Sequence, residues 1–261
     1  MSAERDGGGL SLPGRRPRSA SAPAGEDVRA LARRFGLPEQ AAEALETLTT
    51  LIARDPDAPT SLCRPEAIVA DHLADSLVAL ELDVVRGAVA VADLGSGAGF
   101  PGLPLAIALP DAEVHLVESA ARRASFIVRA AAACGLSNAR VVQARAESWR
   151  AGLGRCDLVT ARALAAPAVV AEYAAPLLRP GGSLVLWRGR RDTAEERAGA
   201  QAARLLGLEP GPVVRVRPYA GALHRHLHVM TKVRPTPPGF PRREGMAAKR
   251  PLGPPSDRSR R

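Results

Sequence analysis

Beyond Ala88 the chain alternates between short, nearly continuous apolar runs and longer stretches whose apolar positions recur every three or four residues. The first kind fits strands buried on both faces, and the second fits helices with one buried stripe. The pattern predicts strands at AVAVADL (88–94), EVHLVES (113–119), ARVVQA (139–144), CDLVTARAL (156–164), SLVLWRG (183–189), VVRVR (213–217) and HLHVMTKV (226–233). Between them it predicts helices over Pro101–Leu109, Ala121–Cys134, Pro167–Leu178 and about Thr193–Leu206, with Gly135 capping the second and a turn at Pro180-Gly181-Gly182. Upstream, residues 26–85 keep a helical spacing broken at Gly36-Leu37-Pro38, at Asp55-Pro56 and before Pro65, so three short helices are expected there.

Apolar strands separated by helices describe a parallel sheet covered on both faces, and the last two strands, with no helix between them, add an antiparallel edge. The expected fold class is therefore α/β: a doubly wound Rossmann-like sheet with N-terminal helices and an antiparallel edge strand. Four parts follow along the chain. Residues 1–25, rich in Gly, Pro, Ser and Arg, are expected to be disordered; 26–85 form a helical extension; 86–233 form the sheet domain; 234–261 form a Pro-rich basic tail in which order declines.

Charge matters at one end of the chain. Nine Lys or Arg against two acids from Lys232 to Arg261 place +7 of the formal net charge of +9 in the last 30 residues, the footprint of a polyanion partner. A merely solvated tail is the alternative, since the whole chain is rich in Arg, Ala, Gly and Pro. No run approaches the roughly 20 apolar residues of a membrane span, and the N-terminus lacks the apolar core of a secretory signal. A cytoplasmic protein with no membrane partner is expected. Cys63, Cys134 and Cys156 have no disulfide or metal-ligand spacing, so no metal is expected and the thiols are read as small buried hydrophobes.

The stretch VADLGSGAGFPGLP (91–104) carries its glycines in two registers. From Gly97 it matches the dinucleotide pattern GxGxxG; from Gly95 it is an acid, Asp93, two residues ahead of GxGxG. A dinucleotide loop opens directly at the strand end, whereas here Asp93 and Ser96 intervene, and a carboxylate would repel a pyrophosphate. At the end of its strand, Asp93 is expected within reach of a cofactor's ammonium or a bound water. With the helix, Pro-Gly-Gly turn and strand of LLRPGGSLVL, the second register is favoured, and it points to S-adenosylmethionine and methyl transfer.

Other positions take their meaning from this cleft. Gly95, Gly97 and Gly99 permit close backbone approach, or merely a tight turn. Glu118, ending the second strand, suits a ribose diol; Ala146 and Glu147, after the third, are placed to meet an adenine. Arg162 stands at the end of a buried strand, at a cleft rim or in a structural ion pair. His72, Asp75 and Ser76, at i, i+3 and i+4, share a helix face that reaches the cofactor mouth or forms a packing cluster.

With these residues the chain resembles the bacterial small-subunit rRNA guanine-N(7)-methyltransferase family, RsmG or GidB. The matching segments are HLADS (72–76), DLGSGAGFPGLPLAI, LVES followed by Arg122-Arg123, TARAL, LLRPGGSLVLWRG, RHLHVMTK and the tail GFPRREGMAAKRPLG, together covering about residues 60–253. The resemblance implies cofactor positions at Gly95, Phe100, Glu118, Ala146, Glu147 and Arg162, and 16S rRNA or a small-subunit particle as partner; a monomer is expected. His72, Arg188, Arg242, Arg243, Lys249 and Arg250 are the candidate RNA contacts. The chain departs from the family pattern at Ala58-Pro59-Thr60, where Asn-Leu-Thr is usual, at Asp71, where Arg commonly precedes the His, and at Arg188-Gly189, where Lys-Gly is usual.

The missing motifs agree with that chemistry. The sequence has no Asn-Pro-Pro-Tyr or Asp-Pro-Pro-Tyr to hold an exocyclic amine and no Pro-Cys nucleophile for pyrimidine C5. Guanine N(7) carries a free lone pair, so attack on a sulfonium methyl needs positioning and no general base, and no catalytic acid or base is assigned. A small-molecule methyltransferase and a non-catalytic RNA-binding protein are the alternatives.

Overall fold

Successive residues of the central strands feed two different cores, which explains why the runs are apolar without alternation. The structure is a computed structural model and describes residues 24–253. Strands β1 (Ala90–Leu94), β2 (Glu113–Val117), β3 (Ala139–Val142), β4 (Cys156–Arg162), β5 (Leu178–Arg188), β6 (Leu208–Arg215) and β7 (His226–Lys232) form one sheet in the order β3-β2-β1-β4-β5-β7-β6. The first five run parallel, and β7 lies antiparallel between β5 and β6. The doubly wound sheet with an antiparallel edge is as expected.

The helices are α1 (Ala24–Arg34), α2 (Glu39–Arg54), α3 (Pro65–Ile68), α4 (Asp75–Leu77), α5 (Asp83–Arg86), α6 (Gly102–Ala108), α7 (Ala121–Ala133), α8 (Pro167–Ala174), α9 (Thr193–Leu205) and α10 (Met246–Lys249). One core joins Val91, Leu158, Val185 and Trp187 of the sheet to Leu45 and Leu48 of α2, Leu103 of α6 and Phe126 of α7. The other joins Ala92, Val159, Leu184 and Leu186 to Val170 and Ala174 of α8 and Ala203 of α9. The N-terminal helices thus thicken the layer that α6 and α7 already form. Gly135, at φ +66°, ends α7 as expected: its N–H and that of Leu136 reach back to Ala132 and Ala131.

Several details differ from the sequence reading, beginning upstream, where residues 24–86 hold five α-helices, α1 to α5, rather than three short ones. The Pro180-Gly181-Gly182 turn is instead an irregular start of β5, where the register against β4 shifts between Cys156 and Leu158. A Cβ on Gly182 would come within 3.0 Å of the Arg179 and Cys156 carbonyls, so the strand needs glycine there. Helix α8 stops at Ala174, short of Leu178, and β6 begins at Leu208, ahead of Val213. Cys63 is exposed, unlike the buried Cys156. Residues 234–253 follow a defined path rather than losing order after Lys232; the disorder expected for residues 1–25 falls outside the described residues except at Ala24 and Gly25, which begin α1.

Lys232 anchors the start of that path. Its buried ammonium donates to the carbonyls of Ala175 (2.8 Å) and Leu206 (3.1 Å), which end α8 and α9, and to the Thr236 hydroxyl. A cation at two helix C-termini satisfies orphan carbonyls and complements both dipoles. Burial still pushes its pKa down to about 8.

Candidate functional site

The strand order reverses beside β1, so the loops after β1 and β4 diverge and leave a crevice at the carboxyl ends of the strands. The glycine loop enters it at Gly95, whose N–H pairs with the Val117 carbonyl at 2.8 Å. Gly95, Gly97 and Gly99 have φ of +68°, +61° and +91°, the left-handed region that side chains disfavour. Their neighbours separate their roles. A Cβ on Gly95 would collide with Leu164 and one on Gly99 with Leu103, whereas a Cβ on Gly97 would meet nothing nearer than the Gly95 carbonyl at 3.8 Å. Gly97 therefore faces open space.

Asp93 does not reach that space, contrary to the expectation that it meets an ammonium or a bound water. It is fully buried, accepting from Gly102 N–H (3.1 Å) and the Thr160 hydroxyl (2.9 Å). Its carboxylate ties the far end of the glycine loop to β4. Burial, partly offset by these bonds, raises its pKa to about 6.

Glu118 lies at the crevice. One oxygen accepts from Gly97 N–H (3.0 Å) and the other from Ala120 N–H (2.8 Å). Each keeps a second lone pair able to accept a hydroxyl. Beside it, Gly95, Val117, Ala146, Glu147, Leu164 and Tyr173 line a pocket. The lining also holds Arg145 beside Glu147, so charge alone selects no ligand; the apolar walls, the glycine backbone and the adjacent Glu118 suit a nucleoside that carries hydroxyls, a part of S-adenosylmethionine.

Phe100 and Arg162 sit outside this pocket lining and belong to a second group. The segment joining α3 to α4, Val69–Ala74, is π-helical, a distortion frequent at functional sites. From it the His72 ring stacks on Phe100 with centroids 4.3 Å apart and planes 14° from parallel. Arg162 donates to Asp75 (2.9 Å) and the Asp71 carbonyl (3.0 Å), lies 3.2 Å from His72 Nδ1, and has its guanidinium carbon 5.5 Å from the Phe100 centroid. Burial and then the Arg162 charge lower the His72 pKa to about 4, so the ring is neutral; Nδ1 accepts from Arg162, which leaves Nε2–H to donate to Thr60 at 2.9 Å. Asp75 also accepts from Arg225 (3.1 Å), and its carbonyl accepts from Trp187 Nε1 (2.7 Å); Ser76 turns back to the His72 carbonyl. Arg162 is thus held in an ion pair with Asp75 beside Phe100 of the glycine loop. Immediately after it, Ala163 is the only described non-glycine residue at positive φ, +54°, and this strained turn aims Leu164 over Gly95.

The candidate RNA contacts divide. Arg188 is paired with Glu195. Arg242, expected to grip phosphate, instead spans Glu172, a carboxylate of α8 that is 1% exposed, with Nε 2.8 Å from Oε1. A buried acid needs a counterion, and Arg242 supplies it. Arg243, Lys249 and Arg250 are exposed.

Several residues of the site escaped the sequence reading: Tyr173, Leu164, Thr160, Glu172, Tyr219 and Arg225. Thr160 in the apolar strand CDLVTAR and Glu172 in the apolar helix PAVVAEYA stood out as polar residues in buried elements, which is a usable signal. Arg225, which reaches Asp75 from the β6–β7 connection, opens the matching segment RHLHVMTK, whereas Tyr219, which reaches Asp71, carried no signal.

A family model described as GidB, rRNA small subunit methyltransferase G, matches residues 59–226. Ribosomal RNA small subunit methyltransferase G of Rubrobacter xylanophilus is 43% identical over 194 residues, spanning 72% of this chain and 74% of the relative. Its namesake in Desulfitobacterium hafniense is 39% identical over 196 residues, spanning 74% and 81%. Among solved structures, a SAM dependent methyltransferase from Aquifex aeolicus superposes with a TM-score of 0.54 at 18% identity, covering 69% of this chain and 99% of that one.

Proposed function

Because this chain belongs to the GidB family of small-subunit rRNA methyltransferases, we propose that it transfers a methyl group to N(7) of a guanine in 16S rRNA. It is an S-adenosylmethionine-dependent methyltransferase. The observation that carries the assignment of the cleft is Gly97, whose left-handed backbone faces open space and whose N–H is held by Glu118.

In this reading Glu118 accepts the ribose hydroxyls, Ala146 and Glu147 border the base, and Gly95 and Gly97 let the methionine part approach the backbone. Asp93 acts indirectly, by fixing the loop. The cofactor, when bound, supplies an electrophilic sulfonium methyl. The protein then has to hold a guanine lone pair in line with it and keep the surroundings from competing. Phe100, His72 and Arg162 form a rigid wall beside the loop for that purpose: the buried Phe100 ring backs the neutral His72 imidazole, and Arg162 fixes the orientation of both. N(7) lies in the deep major groove of an RNA helix, so the guanine presented is an unpaired one.

Arg243, Lys249 and Arg250 are the phosphate contacts of the tail. Replacing all three with Gln is expected to weaken binding to 16S rRNA and to lower the slope of log affinity against log salt by about 2, at roughly 0.7 per lost contact on a single strand. Filter binding across a salt series checks this. An unchanged slope would assign the tail to solvated charge and would favour a substrate other than RNA.

A further inference from the structure

Segment 240–250 does more than carry cations, because it is bolted to the residues that border the pocket. Gly245 N–H donates to Glu147 Oε1 at 2.9 Å, and Glu147 is both 7% exposed and part of the pocket lining. Glu244 accepts from the Ser148 hydroxyl and lies 3.5 Å from Arg145, so the turn Ala146–Ser148 is held from both ends. Arg242 pairs through Nε and Nη2 with Glu172, the neighbour of the pocket residue Tyr173 on α8. Arg242 also donates to the Arg250 carbonyl at 2.9 Å, closing the segment on itself, while Phe240 and Leu252 pack on the core beneath α8.

These contacts join two sites usually treated separately. Arg243, Lys249 and Arg250 leave this segment as exposed side chains, while its backbone secures one wall of the pocket. We propose that segment 240–250 is a clamp whose positioning residues Arg242, Glu172 and Gly245 couple cofactor binding to RNA binding: an occupied pocket steadies the Ala146–Ser148 turn, which holds the clamp and its cations in place. By reciprocity, RNA held on those cations tightens the cofactor by the same factor. The inference rests on the cofactor reading of the cleft given above.

Hydrogen exchange on the full chain, with and without saturating S-adenosylhomocysteine and with no RNA present, tests it. Protection is expected to rise about tenfold over 240–250 as well as over the glycine loop 95–102, since opening of the clamp and of the pocket wall becomes one event. A rise at 95–102 without one at 240–250 overturns the clamp and leaves the cofactor reading standing. No rise at either place overturns both. A second measurement avoids any dependence on exchange. Gly245 has φ +73° with nothing within 4 Å of an added Cβ, so Gly245→Ala disturbs only the backbone conformation that presents its N–H. Calorimetry is expected to show S-adenosylhomocysteine affinity falling about fivefold in this variant, matching the left-handed penalty. Equal affinity in Gly245→Ala and the parent chain contradicts the proposal.

Discussion

Arg242→Ala lowers the stability of the protein by about 3 kcal/mol, toward the low end of what breaking a buried ion pair costs. The lower figure applies because the Arg242 side chain is 24% exposed and so keeps some hydration, while Glu172 is 1% exposed and would be left as an uncompensated charge inside α8. Backbone contacts add to the loss, since the same guanidinium also holds the Arg250 carbonyl. A melting-temperature decrease of about 6–12 °C follows for a chain of this size, measured by calorimetry at neutral pH. Glu172→Leu combined with Arg242→Met removes both charges together and is expected to recover most of the loss. A single variant that melts within 2 °C of the parent would return Arg242 to the surface cations.

Gly97→Val separates cofactor binding from folding better than any other glycine in the loop. A side chain at Gly95 or Gly99 strikes Leu164 or Leu103 and disturbs the fold itself, whereas one at Gly97 enters open space. Folding therefore pays only the left-handed conformational penalty, about 1–2 kcal/mol. Binding suffers more. The branched side chain fills the approach to the loop backbone, and overpacking of about 1–3 kcal/mol adds to any displacement of the Gly97 N–H from Glu118, so affinity for S-adenosylmethionine falls by roughly 100-fold. Titration calorimetry on a variant whose melting curve stays cooperative checks this. Unchanged affinity would remove Gly97 from the cofactor site.

How much of this was readable in the sequence depends on the range of the interaction. The sheet was legible because burial on both faces leaves continuous apolar runs, and the loop glycines were legible because backbone conformation is a local demand. Asp93 was located but its orientation misread: a carboxylate at a strand end can turn outward to ligand or inward to its own loop, and only the positions of Thr160 and Gly102, 67 and 9 residues away, decide. Arg242 was misassigned for the same reason, since its partner Glu172 lies 70 residues upstream. The network around Asp75 depends on Arg162 and Arg225, at separations of 87 and 150 residues, and no spacing rule reaches that far. The π-helical stretch at Val69–Ala74 likewise has no sequence signature in a segment whose apolar spacing is that of an ordinary helix.

The central claim is a chemical one: a methyl group moved from S-adenosylmethionine to guanine N(7) in small-subunit rRNA. Its most direct test is to incubate the purified chain with S-adenosylmethionine and 16S rRNA, or small-subunit particles, from a strain lacking this enzyme, and to map the product by mass spectrometry of nuclease fragments. The account predicts 7-methylguanosine at a single unpaired guanine, formed by the parent chain and lost in Gly97→Val. Methylation of a different atom or base, or no transfer to either form of the RNA by a chain that binds the cofactor, would contradict it.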